Sequence, residues 1–284
     1  AGTELLTLET AKERQRRGHS VEIWTPRPTD SVTGVARSAE PYVYQDLRVL
    51  PFPDRARFRS SRRGRAESEH DSPLMAAHFQ DRLSRSRPDV VHFVHFMGLS
   101  AAPVDVCVGM GVPTVFTPTD FWIICPTVQL RLPDGRPCLG PDATGVNCVR
   151  HLAQNVSHPT VARLAGRLPD AVVAGLIRTA TVLKRWERRY SPLVAAVAGR
   201  RAVLGARMNR IDRVLAPSRL MEAMLVRHGL DPGRVQFLPY GIDLRVFTGG
   251  PSKQPSDRLR VGFIGTLADY KGPHVLCRAI KLLA

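Results

Sequence analysis

Apolar residues recur at helical spacing over Leu5, Leu8 and Ala11, which predicts a first helix from Glu4 to Arg17, closed by Gly18-His19. Val21–Thr25 follows as a strand, and a second short strand, Leu47–Leu50, ends at Pro51. From Pro73 the helical period returns through Met75, His78, Phe79 and Leu83. Pro88-Asp89 then turns into Val90–Val94, a continuous apolar run of the kind buried in a parallel sheet. A helix near Leu99–Met110, a Gly111-Val112-Pro113 turn and a strand Thr114–Thr117 come next. Residues 118–150 read as loop, and long helices are expected over 157–210. Arg213–Ala216 leads through Pro217-Ser218 into a helix ending at His228, and Val235–Pro239 is a further strand. After a polar linker at 248–258, a fresh unit opens with a strand Leu259–Ile264 and a helix from Pro273.

Strands alternating with helices specify an α/β fold with a doubly wound parallel sheet. Ligands of such sheets bind beyond the carboxyl ends of the strands. The residues to weigh are therefore those just after each strand: His92, His95, Thr119, Asp120, Ser218, Tyr240-Gly241 and Gly265-Thr266.

The chain has 284 residues, 43% hydrophobic and 23% charged, enough for one and a half α/β domains. It opens Ala1-Gly2-Thr3-Glu4 and stops at Leu282-Leu283-Ala284 inside a helical pattern, so an internal fragment is expected. The most apolar stretches, Ala171–Leu183 and Pro192–Ala206, are broken by Arg178 and by Arg200-Arg201, which argues against a transmembrane helix. Five cysteines without a paired pattern suit a reducing compartment, hence a cytoplasmic location.

The net charge of +16 changes the picture of partners. Arg55–Arg65 is one dense basic stretch, read as a mobile loop, and His151–Arg213 is another, with twelve Arg or Lys against three acids. Such patches suit nucleic acid, anionic lipid or phosphorylated small molecules equally. Within the second, Lys184–Tyr190 mixes cations with aromatics, as a membrane-surface or nucleic-acid helix does, although a solvated face has the same composition.

Candidate chemistry sits at the strand ends. Gly265 in a turn after a strand and Lys271 near a helix start have the makings of a phosphate site, or of an ordinary glycine turn with a solvated lysine. Ser218 reads first as an N-cap, a role compatible with ligand contact. His92 and His95 leave the sheet together, and Asp120 can hold a hydroxyl or assist proton transfer. Cys125, Cys138, Cys148 and His151 have the donors for a structural zinc, at a spacing that matches no standard finger and equally suits reduced cysteines. Cys107 and Cys277 read as buried apolar residues.

Five segments in register resemble the family 4 glycosyltransferases, retaining enzymes of the GT-B fold. They are Gly2-Thr3-Glu4 with Arg17–Val21; Asp89–His92 through Gly98-Leu99-Ser100; and Gly111–Val115 through Asp120-Phe121-Trp122, Cys125-Pro126 and Cys138–Pro141. Ala216-Pro217-Ser218 with Pro239–Asp243, and Val261–Thr266 with Lys271-Gly272, complete the set. The resemblance implies a Rossmann-like acceptor-side domain over 1–247, without its first strand and with a helical insertion at 151–210. It also implies a 248–258 linker and the truncated start of a nucleotide-sugar domain at 259–284, leaving this fragment inactive alone.

By the same resemblance Gly2, Gly265, Lys271 and Ser218 serve the donor, His92 and Thr119 the acceptor, and Asp120 with His95 the reaction. No metal is required for the transfer. Relatives with His before the loop aspartate contrast with Thr119 here, which shifts weight to Asp120; Thr266 stands where many have Arg, leaving Lys271 as the recognisable diphosphate cation. The implied partners are a nucleotide sugar and a glycan or lipid-linked acceptor, in polysaccharide or glycolipid assembly, with an anionic membrane surface close by and no nucleic acid. The rival readings are a nucleic-acid- or anionic-surface-binding protein without catalysis, and another GT-B enzyme such as a sugar-nucleotide epimerase.

Overall fold

The computed structural model describes residues 2–26, 40–52, 70–132, 134–156, 168–169, 171–175, 191–250 and 255–283. The chain divides into two compact units, Ala1–Tyr240 and Gly241–Ala284. The basic loop expected at Arg55–Arg65 and the Lys184–Tyr190 run lie outside the described residues, as does much of the helical insertion expected over 151–210.

The first unit is mixed α/β, with helix α1 (Gly2–Arg16) leading into β1 (Glu22–Pro26). β1 pairs in parallel with β3 (Leu47–Phe52), whose other edge carries the short antiparallel β2 (Tyr42–Tyr44). The second sheet is wholly parallel, in the order β4 (Val91–Phe93), β5 (Thr114–Phe116), β6 (Arg213–Ala216) and β7 (Val235–Phe237). This is the Rossmann-like arrangement expected of the alternating pattern.

Local chemistry explains the helices between these strands. α2 (Pro73–Ser86) begins where Ser72 accepts the Met75 N–H, with Pro73 in the first turn, and buries Met75, Phe79 and Leu83 four residues apart. It ends at Arg87 in the left-handed region, whose N–H returns to Leu83 O. α3 (Ala102–Gly109) buries Val104 and Cys107 between β4 and β5 in the chain. α4 (Val146–Val156) arises in the stretch expected to be loop, because Asp142 accepts the N–H groups of Thr144 and Asn147 and organises a start. α5 (Ser191–Met208) packs against α4, and Gly145 lies so close to the Ala198 backbone that a side chain would collide with it.

The core is continuous through both sheets. Trp24, Phe52, Phe79, Phe93, Phe96, Phe116 and Trp122 form a chain of ring contacts with centroids 4.9–6.3 Å apart. Trp122 belongs to the loop after β5, so that loop is anchored in the core.

The second unit holds a 3-10 turn at Leu244–Phe247, another at Asp269–Lys271, and α7 (Pro273–Leu283). Leu259–Ile264, expected as a strand, forms no ladder, and Leu259 and Ile264 are exposed. Its apolar run has the composition of a strand, but a strand persists only where neighbours pair with it, and among the described residues none does. Cys277 on α7 is exposed, contrary to its reading as buried, because α7 buries none of its residues. Cys107 is fully buried as expected.

Candidate functional site

The register of the second sheet sets the site. Phe93 lies opposite Phe116, Phe116 opposite Val214, and Ala216 opposite Phe237. The four carboxyl ends therefore form one edge, and the segments leaving them meet.

From β4, His95 places Nε2 2.8 Å from Oδ2 of Asp120, which leaves β5. Both side chains are partly open, at 21% and 28% exposure, so a ligand can reach them. Oδ1 of Asp120 accepts the Trp122 N–H at 2.8 Å, and His95 Nδ1 accepts the Met97 N–H at 2.8 Å. His92, still on β4, contacts the Thr117 hydroxyl through Nε2 at 2.8 Å. Burial, with Arg14 adding, holds its pKa down to about 4, so it is a neutral imidazole at ordinary pH.

Two further ties hold the Pro118-Thr119-Asp120 segment. The Thr3 hydroxyl, at the start of α1, donates to the Thr119 hydroxyl at 2.8 Å. The Tyr240 hydroxyl, just past β7, donates to Pro118 O at 2.9 Å. Burial first and the Asp120 charge second raise the pKa of that phenol. The loop is thus gripped from α1, from β4 and from the segment after β7.

A fourth support comes from behind. Arg200 on α5 is buried, donates through Nε and Nη2 to Trp122 O, and lies 4.5 Å from the Trp122 ring centroid. Its Nη1 donates to His70 Nε2 at 2.6 Å. Because Trp122 also supplies the N–H bonded to Asp120, Arg200 holds the backbone that orients the carboxylate.

The structure thus brings together His92, His95, Thr119 and Asp120 in the first unit. Gly2 is the first residue of α1, one position before the Thr3 that grips Thr119. Ser218 caps α6 (Arg219–Arg227), its Oγ accepting the Met221 N–H at 3.1 Å, in agreement with its first reading. Gly265 and Lys271 belong to the second unit. There Lys271 ends a 3-10 turn, is exposed, and lies 5.8 Å from the Tyr270 ring centroid. Gly272 follows at φ 73°, a left-handed turn that glycine adopts without steric cost, directly before α7.

The expected zinc ligands do not form a metal-holding group. Among the described residues no three His, Cys, Asp or Glu side chains are gathered to hold a metal ion. Cys125 Sγ is engaged with the Thr127 hydroxyl at 3.2 Å. Burial, with the Cys125 and Cys138 thiols adding, pushes the Cys148 thiol up to about 12 in the metal-free protein. His151 is buried on α4.

Part of the basic charge also has an internal use. Arg200 is buried, Arg207 pairs with Asp71 and Asp105, and Arg210 pairs with Asp105. Thr3, Met97 and Arg200 carry no sequence signal that marks them as site residues, and Tyr240 has only its place at a strand end. Their parts depend on partners up to 130 residues away in sequence, which local spacing does not reveal.

No helix among the described residues is long and apolar enough to cross a membrane. A family model described as a glycosyl transferase 4-like domain matches residues 1–158, more than half of the chain. That span contains α1, β4, β5 and the loop with His95, Thr119 and Asp120. No curated protein matches the chain.

Proposed function

The chain belongs to the glycosyl transferase 4-like family, and on that premise we propose that it transfers a sugar from a nucleoside-diphosphate donor to a hydroxyl acceptor with retention. The observation that carries this reading is the contact between His95 and Asp120 at the carboxyl edge of the parallel sheet. A fixed, partly open carboxylate is suited to holding a hydroxyl, and such edges are where α/β sheets bind ligands.

In this reading the acceptor hydroxyl binds against Asp120, with Thr119 and His92 beside it. The acceptor oxygen bonds to the anomeric carbon while the bond from that carbon to the diphosphate oxygen breaks, its electron pair leaving with the diphosphate. The acceptor's proton passes to the Asp120 carboxylate. Lys271, with the turn at Gly265 and the start of α7, is the group proposed for the negative charge that grows on the diphosphate. Gly2 and Ser218, in the first unit, are proposed separately as donor contacts. A glycan or lipid-linked hydroxyl in polysaccharide or glycolipid assembly is the proposed acceptor class.

Thermal stabilisation by a panel of UDP-, GDP- and ADP-sugars tests this, measured on the chain joined to a complete nucleotide-sugar domain, with a random oligonucleotide as control. One sugar nucleotide is expected to raise the midpoint by mass action. A rise with the oligonucleotide alone would instead favour a nucleic-acid-binding protein without catalysis.

A further inference from the structure

We propose that His95 is a positioning residue, which donates its Nε2–H to Asp120 and thereby leaves Asp120, and not the imidazole, as the group that receives the hydrogen of a bound hydroxyl. Met97 restricts the tautomer of His95. A backbone amide can only donate, so its 2.8 Å contact with His95 Nδ1 requires a lone pair on that nitrogen. A neutral imidazole carries one N–H, which must then sit on Nε2, and Nε2 faces Oδ2 of Asp120 at 2.8 Å. Both ring nitrogens are occupied, and His95 has no lone pair to offer a ligand.

Asp120 differs. Its two oxygens offer about four lone-pair sites. One is taken by His95 Nε2–H and one by the Trp122 N–H. Acceptor capacity remains on a side chain that is partly open. The fixed tautomer also defines which way the carboxylate faces, since both of its oxygens are tied from known directions.

The groups around the pair fit this division. Tyr240 turns its hydroxyl to Pro118 O, and His92 turns Nε2 to the Thr117 hydroxyl. Neither presents its polar atom to the His95 ring, so the Met97 amide and Asp120 set the tautomer. The identity of the bound hydroxyl rests on the glycosyl-transfer reading; the placement of the proton does not.

Long-range nitrogen–proton spectra of the histidine side chains in the ligand-free protein test the proposal, with His95 assigned from the signals lost in His95→Gln. The expected result is the Nε2–H tautomer for His95, with a slowly exchanging Nε2 proton that is lost in Asp120→Ala. An Nδ1–H tautomer would overturn it, as would an Nε2 proton that exchanges equally fast in wild type and Asp120→Ala. If Asp120→Ala does not fold, the wild-type tautomer decides alone. Failure of the sugar-nucleotide panel would leave this result untouched, so the two readings fail separately.

Discussion

Asp120 is held by two hydrogen bonds and reached by solvent, which makes its carboxylate the first target for substitution. Asp120→Asn keeps the shape and removes the base, and transfer is expected to slow by about 10²–10⁴-fold, read from initial rates of product formation. His70 offers a test of a different kind. Burial, with Arg200 and Arg207 adding, lowers its pKa from 6.5 to about 3, so the folded state keeps it neutral where the unfolded chain takes up a proton. Its contribution is complete above pH 6.5 and is lost as pH falls toward 3, by at most about 1.4 kcal/mol per pH unit. Urea unfolding at several pH values between 4.5 and 6.5 is expected to show stability falling as pH falls, and His70→Gln to reduce that slope, His92 with its pKa near 4 still contributing. Gly140 sits at φ 87°, where an added Cβ would strike the His228 ring that bonds Leu139 O. Gly140→Ala is expected to destabilise by about 2 kcal/mol, seen as a lowered urea midpoint. His95 and Asp120 were legible in the sequence because each follows a β-rich run, where chemistry collects. Arg200 was hidden among eleven other basic residues of its stretch, and only burial distinguishes it.

α5 connects the basic stretch to the site loop. Its Arg200 satisfies Trp122 O and His70 Nε2 at once, and Arg207 from the same helix reaches His70 O, Asp71 and Asp105. Arg200→Met leaves a buried carbonyl and a buried imidazole nitrogen without this donor. A loss of about 3 kcal/mol is expected by chemical denaturation. Arg200→Lys is not expected to restore it, because an ammonium cannot supply the planar fork. Elements with a cap and a regular apolar stripe, such as α2 and α6, were readable with boundaries close to those observed. β2 was not, since three exposed residues carry no burial pattern and pair only through the Gln45-Asp46 turn, both at positive φ. α4 was not either, since its start depends on the Asp142 hydrogen bonds in a segment dense with Pro and Gly. The opposite error occurred at Leu259–Ile264, where a strand-like run lacks a described partner.

Across the chain, the doubly wound fold was legible because strand and helix periods alternate, and that order alone places the carboxyl edges together. The aromatic chain from Trp24 to Trp122 ties this edge to the core, which gives the Asp120 loop a rigid base. The net charge of +16 was a weaker guide. Arg200, Arg207 and Arg210 serve the fold, and charge counts do not separate such residues from a binding surface. The central claim is that the Asp120 edge performs glycosyl transfer. It is tested most directly by consumption of the stabilising sugar nucleotide in the presence of hydroxyl acceptors, by a protein in which this chain is joined to a complete nucleotide-sugar domain, as wild type and as Asp120→Asn. The account predicts turnover by the wild type and a fall of about 10²-fold or more in the variant with donor binding unchanged. Equal turnover by the two proteins would contradict it.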